Sequence, residues 1–320
     1  MLDRHDLTDV EWAGLEPLLP DRSPRRGGRW VDHRMVINGV LWRTRTGAPW
    51  RDLPPDYGTW QTVYARHRRW SADGTWERIV AGLQAGSDTD DAGRWVVAMD
   101  STVVRAHQHA AGARHEPPKD VPAERLGVAL GDQPPDGGAA SNDKKPPLRE
   151  GLGRSRGGLT TKLHLIADRR CRPLARVTTA GNRNDSLAFE PLITRLSIRR
   201  RGGGRARTRP SQLLADKAYS TGPIRAWLRK HHITAVIPTP SSQQRGRRNR
   251  GRNGGRPPNF DPAAYRDRNT VERTINKLRG YRAVAMRTDK RDFVYRGTID
   301  VASIRIWLRD HQRQDPPDTP

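Results

Sequence analysis

Apolar positions along the chain follow two different periods, and the change comes near residue 86. From residue 7 to 85 they recur every three or four positions, the period of an amphipathic helix. "LTDVEWAGLEPLLP" opens with Thr8 three residues before Glu11, a capping-box pairing, and ends at Pro20. "DHRMVINGVLWRTRTG" has Asp32 as its cap and Gly47 as its stop. "TWQTVYARHRRW" and "GTWERIVAGLQAG" predict two more helices around the turn "SADG", the first carrying Arg66, His67, Arg68 and Arg69. Two readings fit that pair: a DNA-binding helical unit, or a plain bundle with a basic face.

Beyond the polar stretch "GSDTDDAG" (86–93) the pattern turns to strands. "RWVVAMD" (94–100) is a β-rich run that stops on Asp100, and "SQLLAD" (211–216) is an apolar run that stops on Asp216. "GLTTKLHLIAD" and "PLARVTTAG" predict a strand pair joined by the turn "RRCR". A helix, "GPIRAWLRKH", and a strand, "ITAVIP", follow. "DPAAYRDRNTVERTINKLRG" (261–280) then predicts one helix, with Asp261 as cap, Pro262 at its first position and Gly280 as its stop. Three early strands followed by alternating helices and strands give a mixed α/β domain over 94–310. A small all-helical domain over 1–86 precedes it, and a polar tail, 311–320, follows. Two segments lack either period. Residues 107–158 predict a long, mobile insertion. "SSQQRGRRNRGRNGGRPP" (241–258) is a basic loop without a carboxylate, either strapped over phosphates or solvated. Asn182, Asn184 and Asp185 in "GNRNDS" read as a helix cap, with a functional contact as the alternative.

Charge narrows the partners. Lys and Arg number 59 against 35 Asp and Glu, a formal net charge of +24 and a pI near 11.3, which points to a polyanion and to nucleic acid before membrane. Cys171 is the only cysteine, which excludes an intrachain disulfide and a Cys-rich zinc site. No run approaches the ~18 apolar residues of a membrane span, and "MLDRHDLTDVEW" lacks the apolar core of a signal peptide. The expectation is a soluble intracellular protein.

Candidate chemistry rests on three carboxylates at marked places: Asp100 and Asp216 at strand ends, and Glu272 on the helix of 261–280. At about 100° per residue, Tyr265, Arg268, Glu272 and Arg279 lie within roughly 60° of one another beside the apolar stripe of Ala264, Val271, Ile275 and Leu278. Solvated i,i+4 ion pairs would account for that face equally well. Three acids converging in so basic a protein would repel one another and DNA. Divalent ions such as Mg²⁺ or Mn²⁺ would remove the conflict. His107, His109 and His115 sit in a Gly/Ala-rich loop without helical spacing, a weak metal pattern. "GLGRSRGG" lacks the Lys of a phosphate-binding loop, so no nucleotide cofactor is expected.

Tyr265, Arg268, Glu272 and Arg279 stand at a spacing that resembles the signature of the DDE transposases of bacterial insertion sequences, in the four/five-type group, where a Lys occupies the last position. "AMDSTVVRAHQHAAGA", "GRSRGGLTTKLHLIAD", "LLADKAYST" and "RNTVERTINKLRGYRAVAMRTDK" look like the same group, as do "LTDVEWAGLEPLLP" and "GVLWRTRTGAPWRDLP". The resemblance covers most of 7–310 and excludes much of 116–150. It implies a ribonuclease-H-like mixed sheet with flanking helices, in which Asp100, Asp216 and Glu272 are catalytic and hold two Mg²⁺ or Mn²⁺ ions. Tyr265, Arg268, Arg279, Lys217 and Tyr219 would contact DNA beside the site, and Arg66, Arg68 and Arg69 would do so from the helical segment. The implied reaction is hydrolysis at the element's terminal inverted repeats, then attack of the freed 3′-OH on target DNA, without ATP and without a covalent protein–DNA intermediate. A homodimer on DNA, in the bacterial cytoplasm and nucleoid, is implied as well. A catalytically silent DNA-binding repressor and a ribonuclease-H-like nuclease without strand transfer are the competing readings.

Overall fold

Thr8 opens the first helix reciprocally with Glu11. The Glu11 N–H donates to Thr8 Oγ1 at 3.2 Å, and the Thr8 N–H donates to Glu11 Oε2 at 2.9 Å. The computed structural model describes residues 5–23, 29–87, 94–113, 121, 150–155 and 157–312. Among the described residues four α-helices precede the sheet: α1 (Asp9–Leu15), α2 (His33–Thr46), α3 (Trp60–Ala72) and α4 (Thr75–Leu83). Asp32 caps α2, and Gly47 ends it in the left-handed conformation at φ 69°.

The sheet is built from β1 (Val96–Ala106), followed by the short α5 (Gln108–Ala111), then β2 (Gly153–Ser155), β3 (Gly158–Asp168) and β4 (Pro173–Ala180). Next come α6 (Phe189–Ile193), β5 (Gln212–Ala215), α7 (Gly222–Lys230), β6 (Thr234–Val236) and α8 (Ser241–Asn249). The chain closes with α9 (Pro262–Tyr265), α10 (Asn269–Arg279), α11 (Arg282–Ala285), β7 (Met286–Arg287) and α12 (Asp292–Gln312). β4, β3 and β1 pair antiparallel, and β1, β5 and β6 pair parallel. β2 adds to β3 and β7 to the end of β1, making seven strands. An antiparallel β4-β3-β1 meander continued by parallel β5 and β6 is the ribonuclease-H-like order.

Strand parity sorts the core. Val97, Met99, Ile166, Leu213 and Ala215 pack in one cluster with α1–α4, α6 and α7. Val96, Ala98, Val104, Leu163, Leu165 and Leu214 pack in the other, with Val271, Ile275 and Leu278 of α10. α12 feeds both clusters, with Val301, Ile304 and Trp307 in the first and Tyr295, Ile299 and Ile306 in the second. It is apolar on several sides because it is surrounded. Buried ion pairs fasten it to its neighbours. Arg176 of β4 donates through Nε to Asp300 at 2.7 Å and reaches Glu77 of α4 at 3.1 Å. Arg305 pairs with Glu11 of α1 at 3.1 Å. The helices of residues 7–83 thus share one core with the sheet, and the break at 86–93 separates sequence patterns rather than cores.

Three expectations are corrected. β1 does not stop at Asp100: it runs on to Ala106, because residues 101–105 keep pairing with β3 as far as Arg105↔Thr160. Residues 261–280 are two helices about a 3₁₀ turn, Arg266–Arg268. Asp261 caps the first of them, but Gly280 ends the second at φ −60° without a left-handed turn. The basic stretch 241–258 begins as a helix, α8, followed by a 3₁₀ turn over Gly251–Gly254. Its Ser, Gln and Arg residues carry no β-branched side chain to oppose helix, and the Gln244 side chain donates to Thr239 O at 2.8 Å. Within 107–158, α5 and β2 are ordered elements. The expectation for 114–120 and 122–149, for His115 and for the tail beyond 312 lies outside the described residues.

Candidate active site

Parity places Asp100 on the face that carries Val96 and Ala98, the face α10 covers. On one side Asp100 stays in register with Leu165 of β3. On the other, the last pair joining β1 to β5 is Met99↔Ala215. One further step of that parallel register would set Asp100 beside Asp216, and there the strands part. Asp216 leaves the sheet and caps the 3₁₀ turn Lys217–Tyr219, its carboxylate accepting from the Ala218 N–H at 2.9 Å. Two acids therefore stand where the parallel strands diverge, at their carboxyl ends, the usual place for a site in an α/β sheet.

α10 brings the third acid. Val271, Ile275 and Leu278 anchor the helix on the sheet, which leaves Glu272 on the exposed flank. Arg268, one turn earlier, joins the two sides: Nη2 lies 2.6 Å from Asp100 Oδ2 and Nη1 lies 2.5 Å from Glu272 Oε1. Tyr265 is half-buried, with its ring 5.3 Å from that of Phe260.

The electrostatics follow from this geometry. Burial raises the Asp100 pKa, and the charges of Asp216 and Glu272 add to the rise, against Arg268 and the Ser101 N–H. Burial works against the charge of Arg268, but Asp100, Tyr265 and Glu272 outweigh it and hold its pKa above the ordinary value. Burial likewise raises Tyr265, helped by Asp216, Asp100 and Glu272 against Arg268. The three carboxylates are hard oxygen donors and fit Mg²⁺ or Mn²⁺ in kind. Among the described residues no three His, Cys, Asp or Glu side chains draw together into one metal-holding group. The positive charge between Asp100 and Glu272 is that of Arg268.

The remaining sequence-predicted residues scatter. Lys217 is exposed beside Asp216. Arg279 is exposed, seven residues past Glu272, or about 10 Å along α10. Arg68 lies over Phe293 at 5.5 Å, and the exposed Arg69 lies near Trp30 at 5.7 Å. Two expectations fail on burial. Tyr219 is only 1% exposed and presents no surface to DNA. Its hydroxyl has no hydrogen-bond partner among the described residues, and its pKa is raised by burial and by Asp185, Asp100 and Asp216. Arg66 is 7% exposed, packs over Trp30 at 4.3 Å and meets His33 Nδ1 at 2.8 Å. Burial, with Arg69 and Arg22 nearby, lowers its pKa to about 10. It is a core residue, because α3 turns the face it shares with Trp70 onto Trp30. The rings of His107 and His109 meet edge to face at 4.4 Å, and His107 Nδ1 accepts from the His109 N–H at 3.2 Å.

The partners of Asp185 are not visible in the sequence. Asp185 accepts from Ser101 Oγ at 2.9 Å and pairs with Lys162 Nζ at 2.9 Å. His164 lies 3.9 Å away and is held neutral, its pKa lowered to about 4 chiefly by burial. Ser101, Lys162 and His164 share the sheet face opposite Asp100, so this network backs the site from behind. The cap expected of Asp185 is made by Asn184, which accepts from the Ser186 N–H at 3.1 Å. The available signal was the polar alternation Lys162 and His164 within an otherwise apolar strand.

Comparison with known proteins agrees with this architecture. Residues 7–80 match a family described as transposase of the IS4/5 family, and residues 91–299 match the transposase DDE domain. Protein y4sN of Sinorhizobium fredii is 33% identical over 130 residues, 41% of this chain and all of that protein. The 16.2 kDa protein of insertion element IS402 of Burkholderia cepacia is 38% identical over 110 residues, 31% of this chain and 73% of that one. A transposase assigned to insertion sequence element IS6501 of Brucella ovis is 30% identical over 155 residues, 47% of this chain and the whole of the other. A chain of the Mos1 transposase paired-end complex with left transposon end superposes over 92% of this chain and 83% of its own, at 11% identity and a TM-score of 0.24, too remote to carry detail across.

Proposed function

This chain belongs to the DDE transposases, metal-dependent enzymes that cut DNA and transfer the cut strand, and from that premise we propose that Asp100, Asp216 and Glu272 are its catalytic, metal-binding carboxylates. The observation that carries the reading is the parting of β1 and β5 at Met99↔Ala215, which leaves Asp100 and Asp216 adjacent at the open end of the parallel strands. Arg268 then ties Glu272 to the same place.

Each residue has a task that follows from its position. Asp100 is fixed within β1, Asp216 is fixed by its cap to the Ala218 N–H, and Glu272 is the exposed and adjustable member. These three would hold two Mg²⁺ or Mn²⁺ ions, which when bound would activate the attacking oxygen and stabilise the leaving one. Arg268 has two further tasks, orienting Asp100 and Glu272 and meeting a DNA phosphate with its planar fork. Tyr265 offers a ring edge at the rim, Lys217 and Arg279 would meet phosphates beside the acids, and Arg68 and Arg69 would meet them from α3. The substrates on this reading are the element's terminal inverted repeats and a target duplex, with two ends held by a homodimer. Among the described residues no helix is long and apolar enough to cross a membrane, which accords with work in the cytoplasm on nucleoid DNA.

The test is a cleavage assay on a fragment carrying the gene's own flanks, with Mg²⁺ or Ca²⁺, for wild type and Asp216→Ala. New 3′-OH ends at discrete boundaries, formed with Mg²⁺ and absent in the variant, are expected. Tight, salt-sensitive binding with no cut by the wild type would replace this reading with that of a DNA-binding protein that does not cleave.

A further inference from the structure

A groove of about 1240 Å³ runs along the seam between the helical segment and the sheet, away from the three acids. Its walls carry Trp50, Trp60 and Tyr64 from one side and the exposed Arg282 and Lys290 from the other, with Arg51 lying over the Trp60 ring at 5.7 Å. Trp50, Trp60 and Tyr64 are each only partly buried, so aromatic surface faces the opening. Asp289, the one carboxylate in the lining among the described residues, is buried and neutralised by Arg43 at 3.1 Å. The groove is therefore apolar and aromatic within and cationic at its rim.

Its location links it to the catalytic acids twice. β1 carries Asp100 and delivers His107 to the groove just past its end; the six steps of strand from Asp100 to Ala106 span about 20 Å. α10 carries Glu272 and leads into α11, whose Arg282 and Ala285 line the opposite wall. At 3.4 Å per step, 20 Å corresponds to roughly six nucleotides of a duplex strand. Aromatic faces interleaved with cations suit a single strand, whose bases stack while its phosphates pair. A protein partner would not require this cationic rim, and an intact duplex would not place base faces within the groove.

We propose that this groove binds an unpaired nucleotide of the DNA, a few positions from the scissile phosphate, with its base on Trp60 and Trp50 and its phosphates on Arg51, Arg282 and Lys290. The inference rests on the DNA-cleaving reading of the chain but concerns a separate surface. It accounts for partly buried tryptophans in a part of the molecule that the catalytic acids leave unused.

The experiment compares a blunt duplex with the same duplex bearing a short single-stranded extension, by fluorescence anisotropy. Stacking of one base predicts roughly ten-fold tighter binding of the extended DNA by wild type. Trp60→Ala should lose that gain and Trp60→Phe should keep it, read in each variant as the ratio of its affinities for the extended and the blunt duplex. Photocrosslinking of an iodouracil placed in the extension, on the wild type, should label the peptide spanning residues 50–64 and guards against a variant that fails to fold. Equal affinity of wild type for the two duplexes, or crosslinks confined to peptides outside the groove, overturns the inference. Blunt-duplex binding and Mg²⁺-dependent cutting in the same samples report on the catalytic reading independently.

Discussion

Arg268 holds Asp100 at 2.6 Å with one guanidinium nitrogen and Glu272 at 2.5 Å with the other. A monovalent cation thus lies between two of the carboxylates that a divalent ion would share. The pair is no surface ornament: the Arg268 and Asp100 side chains are each 16% exposed. Metal binding on this geometry competes with Arg268. We expect Arg268→Ala to bind Mn²⁺ more tightly, by about five-fold or roughly 1 kcal/mol in isothermal titration calorimetry, while DNA cleavage falls. Weaker or unchanged Mn²⁺ binding would show that the guanidinium aids the metal site rather than contending for it.

Two histidines set an acid limit on the fold. His67 and His164 each have a pKa lowered to about 4, with burial the leading cause in both. The folded state refuses a proton that the unfolded chain accepts below about 6.5. Stability is therefore intact above 6.5 and declines as the pH falls, by up to about 1.4 kcal/mol per pH unit for each histidine. Closer to pH 4 the raised carboxyls of Asp100 and Asp300 oppose the decline, so the clean window runs from 6.5 to about 5. Urea denaturation across that window should show a shallower slope for His67→Gln than for wild type. Parallel slopes would mean that His67 is already protonated in the fold.

The strand at the back of the site makes a separate prediction. Asp185→Asn leaves Lys162 and Ser101 with a neutral partner and should cost about 1–3 kcal/mol in urea denaturation, as a half-buried charge-assisted contact does when one side is removed. Because Ser101 adjoins Asp100, cleavage should fall further than stability alone explains, and Asp185→Glu should restore part of it. Loss of stability with full specific activity would confine Asp185 to a structural role.

Much of this was legible along the chain, for physical reasons that differ between elements. Caps are local, so Thr8 with Glu11, Asp32, Gly47 and Asp261 act as their neighbours dictate. The strands of 158–180 are a short-range hairpin, and their pairing follows from alternation and one turn. Asp100 looked like a strand end because apolar parity breaks there, yet β-branched residues beyond it keep the ladder with β3. Arg66 and Tyr219 looked like contacts for DNA because a basic or aromatic side chain gives no sign of which way its helix or turn faces. Trp30 and Trp70 decide the first, and the packing behind Asp216 decides the second. Asp185 was hidden for the opposite reason: its partners, Ser101 and Lys162, are far away in sequence.

The buried pair of Arg176 with Asp300 tests whether the molecule has one core. Glu77 of α4 completes the arrangement at 3.1 Å, so β4, α12 and the helical segment meet at one guanidinium. Asp300→Ala removes the partner of Arg176 Nε and leaves the guanidinium to Glu77 alone, which should cost about 1–3 kcal/mol. Tryptophan fluorescence and far-ultraviolet circular dichroism should still move together in one earlier transition, since α12 belongs to both clusters. Two separated transitions would mean that residues 7–83 fold independently of the sheet.

α8 supplies the last prediction. Its first turn is fastened to the turn that Asp216 caps, with Gln243 Nε2 donating to Ser220 O at 2.5 Å. The helix therefore projects Arg245 and Arg248 into solvent from an anchor on the turn that Asp216 caps, and neither faces a carboxylate on its own helix. Cations so placed either meet phosphates or serve only to keep the helix solvated, and the two differ in salt dependence. Each phosphate neutralised contributes about 0.9 to the slope of log affinity against log salt on duplex DNA. Arg245→Gln with Arg248→Gln should lower that slope by roughly 1.8 and weaken binding most at low salt, with the melting temperature unchanged. A slope identical to wild type would assign α8 to solvent and leave the phosphates near Asp216 to Lys217 and Arg268.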